Sequence, residues 1–300
     1  MKCLVTGGAG FIGSHLVDSL LQSGNHVTVI DNFSFGSTKN LPEMNRNLTT
    51  HKADICSNLD TVFKQGIDLV FHLAALSRVQ LSIQNPEETH RINVDGTLNI
   101  LSYCRKYEVK GLIFASSSSV YGDQKIPLAE TTIPKPISPY GLQKLTAEHY
   151  CNLFYSLYGL PIVNLRFFNV FGPRQDAYGP KDHLIPSLIH AIKTKTNPVI
   201  YGDGRNTRDF TYISDVVRAL VSTANANVWG ETINIGAGKN ISVNHVWETL
   251  LNISSCNIKA VYKEQRKEPK DTLSDNTKSK ELLKWKPQVT FEEGLKKTYE

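Results

Sequence analysis

Apolar and polar residues fall into two kinds of block along the first half of the chain. Short apolar runs recur at Lys2–Thr6, His26–Ile30, Leu48–His51 with Ala53-Asp54-Ile55, Asp68–Leu73, Lys110–Ala115 and Pro161–Phe167. Their length and β-branched or aromatic content predict strands. Runs such as Leu69-Val70-Phe71 are apolar without alternation, as expected for strands buried on both faces. Longer mixed segments separate them and predict helices. One begins directly after Gly13. A second opens at Asn85-Pro86-Glu87-Glu88 and is expected to reach Tyr107, with Asn as N-cap, Pro at the first position and acids in the first turn. A third opens at Ser138-Pro139 and is expected to run to about Tyr158. Asn32 to Asn47 reads as a polar loop.

This alternation predicts an α/β fold of Rossmann type, a doubly wound parallel sheet. Right-handed crossovers put the C-terminal ends of its strands along one edge, where ligands bind. Past Phe168, Pro, Gly and Asn break the pattern into shorter elements. The expected division is 1–168 for a dinucleotide-binding domain and 169–300 for a smaller mixed α/β substrate lobe, some of whose segments return to the sheet. No repeat or low-complexity segment is visible.

The candidate chemistry starts where the first strand ends. Gly7-Gly8-Ala9-Gly10-Phe11-Ile12-Gly13 spaces three glycines G-x-x-G-x-x-G between a strand and a helix. Such a turn lets the backbone approach a pyrophosphate, which rests on the helix N-terminus. A glycine pattern alone is weak, but here the second strand ends in Asp31, about 20 residues on, where a carboxylate accepts an adenosine 2′-OH. An acid at that place repels a 2′-phosphate, so the reading is NAD rather than NADP. Downstream, Ser116 to Ser119 follow the fifth strand on the ligand edge. Tyr140 and Lys144 stand four apart at the start of a helix, hence on one face. A free phenol titrates near pH 10, and burial raises that value. A tyrosine base therefore needs nearby positive charge, from Lys144 and from an oxidised nicotinamide. A shift of about 3 units corresponds to roughly 4 kcal/mol. A serine hydroxyl beside the same oxygen would relay or orient the proton.

Composition narrows the picture only slightly. Three hundred residues allow an ample core, and the net charge of +5 is mild. Cations are scattered apart from Lys263, Arg266 and Lys267, so no basic stripe argues for nucleic acid. The five cysteines are widely spread without metal or disulfide spacing, which leads to the expectation of reduced thiols in the cytoplasm. The glycine loop begins too early to leave room for a signal peptide, and no apolar run approaches the ~20 residues of a membrane span. His15, His72, His183 and His190 are isolated and read as packing or surface residues rather than metal ligands.

Gly7-x-x-Gly10-x-x-Gly13, Asp31-Asn32, Asp54-Ile55, the Ser117 loop and Tyr140-x-x-x-Lys144 together resemble the extended short-chain dehydrogenase/reductase family. Within it the likeness is to the UDP-glucose 4-epimerase group, including enzymes acting on UDP-N-acetylglucosamine. Arg166 to Pro173 and Gly202-Asp203-Gly204-x-x-x-Arg208-Asp209-Phe210 are also family-like, so the resemblance covers nearly the whole chain. It implies that Tyr140 takes the proton of the sugar 4-hydroxyl while hydride passes to a tightly held NAD, and that hydride returns to the other face of the 4-keto sugar. By the same resemblance Gly7, Gly10, Phe11, Ile12, Gly13, Asp31, Asn32, Asp54, Ile55, Leu73, Ala74, Ala75, Asn93 and Phe168 join Tyr140 and Lys144 around the cofactor. Asp54 and Ile55 are expected to flank the adenine, and Asn93 to lie on the nicotinamide side. Ser117 is the serine nearest the reacting hydroxyl, with Ser118 beside it. Arg208 and Arg266 match diphosphate-clamping positions, Asn169 one beside them, and Tyr201 one lying against uracil. The helices Pro86–Tyr107 and Pro139–Tyr158 imply a homodimer.

Two positions bear on the sugar. Thr272 falls where some relatives carry a bulky aromatic, and a small residue there leaves room for an N-acetyl group. Arg78 replaces the small residue of many relatives. It is open to a phosphate, an acetyl oxygen, a uronate carboxylate or solvent. The rival reading is a UDP-glucuronate or UDP-N-acetyl-hexosaminuronate 4-epimerase, against which stands Asn169, where that group usually has Thr. Dehydratases and decarboxylases usually place acids where Ser118 and Ser119 stand. A non-catalytic NAD-binding sensor would be free to lose Tyr140 or Lys144, and both are present.

Overall fold

Seven apolar runs lie side by side in one parallel sheet. The computed structural model describes residues 1–176, 183–266 and 268–300, so Lys267 of the small cationic cluster lies outside the described residues. The strands are β1 (Lys2–Thr6), β2 (His26–Asp31), β3 (Leu48–Lys52), β4 (Leu69–His72), β5 (Gly111–Ser117), β6 (Ile162–Phe167) and β7 (Thr232–Ile235). Their spatial order is β7-β6-β5-β4-β1-β2-β3, every pairing parallel. The chain lays β1, β2 and β3 in one direction, then crosses back to place β4 on the other side of β1. The connections after β1 and β4 therefore diverge and open a crevice at the strand ends. β7 arrives from the second half of the chain and extends the sheet beyond β6.

Side-chain alternation along the strands feeds two apolar layers. Val5, Val29 and Ile113 point to one face, with α1 (Phe11–Gln22) and three helices of the second half: α7 (Leu184–Thr194), α8 (Ile213–Asn225) and α9 (Val243–Ser254). Leu16, Leu188, Leu220 and Leu250 join them in a single cluster. Leu4, Ile30, Leu112 and Phe114 point to the other face. There they meet Ile100 of α5 (Gly96–Lys106) and Ala147 and Cys151 of α6 (Pro139–Tyr158). The short helices α2 (Asp60–Phe63), α3 (Val79–Gln84) and α4 (Pro86–His90) complete the first half. Among the described residues no helix is long and apolar enough to cross a membrane.

Local chemistry explains where the pattern holds and where it does not. α6 spans the expected residues because Ser138 Oγ accepts the Gly141 N–H at 3.1 Å and Gly159, at φ 67°, ends it in a left-handed turn. Ala53-Asp54-Ile55, expected as strand, leaves the sheet. Asp54 Oδ1 accepts the Cys56 N–H at 2.8 Å and curls the backbone into a turn. The helix expected over Asn85–Tyr107 starts on Pro86 but runs in three pieces, α4, a π-turn at Arg91–Asp95 and α5. Asn85 sits at its start without a side-chain capping bond, contrary to expectation. It is the Asn85 carbonyl that accepts Thr89 Oγ1–H, at 3.1 Å. The one-turn helices α2 and α3 were not expected, since so few residues carry no readable period.

Candidate active site

The glycine loop is built by exclusion. Gly7 has φ +68°, and a Cβ there would meet the Ala74 backbone at 2.8 Å. A Cβ on Gly13 would lie 2.1 Å from the Gly7 carbonyl oxygen. The loop after β1 thus lies directly on the loop after β4, and the first turn of α1 is pressed against the loop after β1. α1 has neither a side-chain cap nor an acid in its first turn, leaving its first N–H groups for an anion. Asp31 is buried and its two oxygens accept Ala9 N–H at 2.9 Å and Phe33 N–H at 2.8 Å. Burial raises its pKa, and the two N–H groups oppose the rise. Its remaining lone pairs suit the expected ribose hydroxyl, while the exposed Asn32 folds back to accept the Ser34 N–H. Asp54 pairs with Arg91 at 3.3 Å, and the buried Ile55 packs on Gly96. This donor set and the close-packed glycines fit a dinucleotide.

A directed chain of hydrogen bonds ties these loops together. The Thr97 hydroxyl donates to the Asn93 carbonyl at 2.8 Å, so its oxygen accepts from His72 Nε2 at 3.0 Å. His72 Nδ1 then accepts the Thr6 hydroxyl proton at 2.7 Å, and Thr6 Oγ1 accepts the Ala74 N–H at 3.2 Å. The network assigns His72 as the neutral Nε2–H tautomer. Burial, and less strongly the nearby Lys144 charge, push its pKa down to about 3. Asn93 makes a second tie: its side chain accepts the Leu76 N–H at 2.9 Å and donates to the Leu76 carbonyl and to Gln143 Oε1. The expected nicotinamide-side residue therefore holds the Leu73–Arg78 loop to α6. Phe168, expected beside the cofactor, is fully buried against Tyr121, and its N–H donates to the Ile235 carbonyl at 3.0 Å.

The candidate catalytic pair stands on α6, the helix that Asn93 ties to that loop through Gln143. Tyr140 and Lys144 share the buried face of the helix. Tyr140 N–H donates to Ser82 Oγ of α3 at 3.1 Å. Burial pushes the Tyr140 phenol up to about 12, and hydrogen bonding with Ser117 opposes the rise. Ser117 Oγ accepts the Ser119 N–H at 3.1 Å, so its own proton is available to the phenol or to a substrate oxygen. Lys144 Nζ donates to the Ala115 carbonyl at 2.7 Å and lies 4.7 Å over the Phe114 ring. Burial lowers its pKa to about 8, against the raising influence of Cys151 and Glu148. Glu148, one turn on, forms a buried two-pronged pair with Arg166 at 2.9 and 2.7 Å and accepts the Ser116 hydroxyl in a short bond. Since Glu148 and Arg166 neutralise each other, the pair does not cancel the Lys144 charge.

The expected sugar-nucleotide residues are placed by their local contacts. Half-buried Ser117 and Ser118 end β5, and exposed Asn169 follows β6. Tyr201 and Arg266 come together, the guanidinium 3.5 Å over the ring centroid. Arg208 is mostly buried and Thr272 is buried, its Oγ1 accepting the Asp209 N–H at 3.2 Å. Arg78 turns neither to solvent nor into isolation. It pairs with Asp176 at 3.3 Å and lies 4.5 Å over the Phe35 ring, while Asp176 also contacts His183 Nδ1 at 2.7 Å. Sequence reasoning missed Thr6, His72, Thr97, Gln143 and Glu148. The i, i+4 spacing of Asn93 with Thr97 and of Lys144 with Glu148 was the available signal.

Comparison with known proteins agrees with this geometry. The family described as GDP-mannose 4,6 dehydratase matches residues 4–298. The chain is similar to the UDP-glucose 4-epimerase of Thermotoga maritima, solved with UDP-glucose, at 40% identity and a TM-score of 0.95, covering 100% of this chain and 97% of that one. It is similar to the UDP-N-acetylglucosamine 4-epimerase of Methanobrevibacter ruminantium, solved with UDP-N-acetylmuramic acid, at 40% identity and a TM-score of 0.94, covering 99% and 96%. It is also similar to the UDP-glucuronic acid 4-epimerase of Bacillus cereus, solved with UDP-glucuronic acid and NAD, at 36% identity and a TM-score of 0.94, covering 100% and 98%.

The His72 chain has a consequence for acid stability. An unfolded histidine takes up a proton near pH 6.5, while the folded one resists until about pH 3. In that window the unfolded state binds more protons, so stability falls as pH falls. Two units of this window correspond to about 3 kcal/mol. His72→Asn is therefore expected to lose less stability than wild type between pH 6.5 and pH 4.5, read by denaturant unfolding. Equal losses in both proteins would contradict the assignment.

Proposed function

We propose, from the premise that this chain belongs to the extended short-chain dehydrogenase/reductase family through its GDP-mannose 4,6 dehydratase branch, that it interconverts UDP-hexoses at C4 as an NAD-dependent epimerase. The observation that carries the reading is Tyr140, buried with Lys144 and hydrogen-bonded with half-buried Ser117 at the strand ends, beside an uncapped glycine-loop helix. NAD, when bound, accepts and returns the C4 hydride. Everything else is done by the chain. The α1 N-terminus holds the pyrophosphate, and Asp31 accepts the adenosine ribose hydroxyl. The Leu73–Ala75 segment, fixed through Thr6 and Asn93, backs the cofactor.

Tyr140 takes the proton of the 4-hydroxyl, directly or through Ser117, and gives it back to the oxygen on the new face. Lys144 holds the phenolate by its charge and remains protonated at neutral pH, since its pKa stays at about 8. Ser118 and Ser119 stand where a dehydratase needs an acid, so elimination of water lacks its proton donor. Arg208 and Arg266 bind the diphosphate, Asn169 lies beside it and Tyr201 takes the uracil. We extend the reading to UDP-glucose with UDP-galactose and to UDP-N-acetylglucosamine with its epimer, because Thr272 is small. The uronate alternative could place its carboxylate on Arg78, which faces Asp176 in the free protein; what stands against it is Asn169, where that group usually has Thr. An apolar stripe at Leu142, Leu153 and Leu157 on α6, each about half exposed, supports pairing with a second copy.

The test is a paired assay of the purified protein with UDP-glucose and UDP-N-acetylglucosamine, without added NAD. Both sugars are expected to epimerise, and Tyr140→Phe is expected to reduce turnover by at least ~10²-fold at unchanged folding. Undiminished turnover of that variant would refute the assignment of the base. For the pairing, sedimentation equilibrium is expected to give a dimer that Leu153→Glu with Leu157→Glu converts to monomer. A monomeric wild type would exclude that surface.

A further inference from the structure

The segment after α9 runs back along the nucleotide-binding side. Val261–Lys263 pairs in parallel with Val199–Tyr201. Farther on, Thr207 N–H donates to the Lys270 carbonyl at 3.2 Å, and Thr272 N–H donates to the Thr207 carbonyl at 3.1 Å. Between these two attachments, Arg266 and Glu268 lie on groups assigned above to the uridine diphosphate. Arg266 covers the face of Tyr201 at 3.5 Å. Glu268 Oε2 lies 2.7 Å from Arg208 Nη2. The other arm of Arg208 is fixed to the chain itself, Nη1 donating to the carbonyls of Thr207 at 2.9 Å and Lys270 at 3.1 Å.

This division of the guanidinium is informative. One nitrogen is anchored to backbone and the other is directed at an anion. A carboxylate and a phosphate oxygen make the same charge-assisted bond to it. The partners also differ in freedom: the Arg208 side chain is 11% exposed and Glu268 37% exposed. A mostly buried cation without a counter-ion is costly, whereas a carboxylate at the rim can swing into water with little loss.

We infer that Glu268 is a resident stand-in for the substrate diphosphate, neutralising Arg208 in the free protein and displaced from it when the nucleotide sugar binds. The inference rests on the reading of Arg208 as a diphosphate-binding residue. Glu268 competes with substrate for one cation, so it lowers the affinity for every UDP-sugar. It also keeps the anchored arginine oriented for the incoming anion. Arg266 leaves the Tyr201 ring in the same event, since uracil takes that face.

Isothermal titration of the full-length protein with UDP and with uridine tests this. Glu268→Gln keeps the side-chain shape and removes the charge. It is expected to bind UDP about two- to fivefold more tightly than wild type, with uridine binding unchanged. UDP affinity that is unchanged or weaker in Glu268→Gln would overturn the inference. Arg208→Ala separates the two levels. If it weakens UDP binding while Glu268→Gln does not strengthen it, only the role of Glu268 fails. If Arg208→Ala leaves UDP binding unchanged, the diphosphate reading of Arg208 fails, and the inference fails with it. Thermal unfolding of each variant confirms that the fold is retained.

Discussion

Burial of a lysine ammonium and a tyrosine phenol on one face of the same helix is the constraint on which the candidate site depends. Burial works against both members of the pair: the Tyr140 phenol rises to about 12 and the Lys144 amine falls to about 8. Left to desolvation alone, neither would hold the charge that proton transfer needs. The surrounding chain compensates on the lysine. The Ala115 carbonyl accepts its proton, the Phe114 ring presents its negative face, and Glu148 adds a distant negative charge without capturing the ammonium. Glu148 is restrained from doing so by Arg166, which engages both its oxygens. The lysine therefore stays a cation at neutral pH while remaining dry. In the free protein the phenol is governed by burial and by Ser117; under the proposed function the positive charge that lowers it comes from Lys144 together with the oxidised cofactor.

The sheet topology brings the cofactor side to that pair. The strand order reverses at β1, so the glycine loop and the Ala74 loop emerge side by side and diverge. Close packing of Gly7 on Ala74 leaves no room for a side chain between them. His72 connects this contact to the π-turn at Arg91–Asp95 through Thr6 and Thr97, and each hydroxyl in the chain has one donor and one acceptor role. The π-turn in turn lets Asn93 reach both Leu76 and Gln143, the residue just before Lys144. The loops after β1 and β4 and the helix α6 are thus one hydrogen-bonded body rather than separate parts.

Much of this was legible in the chain, for identifiable reasons. The strands β1, β4 and β5 were visible because burial on both faces leaves nearly uninterrupted apolar runs, and α6 because Ser138 and Pro139 mark its start chemically. The shared buried face of Tyr140 and Lys144 and the tight packing of the glycine turn were legible because their spacing fixes that geometry. What escaped depends on contacts distant in sequence. Asp54 bends the backbone by a local side-chain bond that outweighs the strand pattern around it. The π-turn has no sequence signature separate from the helix that contains it. His72 looked isolated because Thr6 lies 66 residues away from it and Thr97 lies 25 away. Arg78 was open among several partners because Asp176 and Phe35 approach it from the loops after β6 and β2, which no local spacing relates.

The most direct measurement is an ultraviolet difference titration of the tyrosinate band, wild type minus Tyr140→Phe, with and without saturating oxidised NAD. The expected result is a phenol that resists ionisation to about pH 12 in the free protein and ionises several units lower once the cationic ring joins Lys144. A Tyr140 titration that does not move when the cofactor binds would contradict the account, whatever else the site is found to hold.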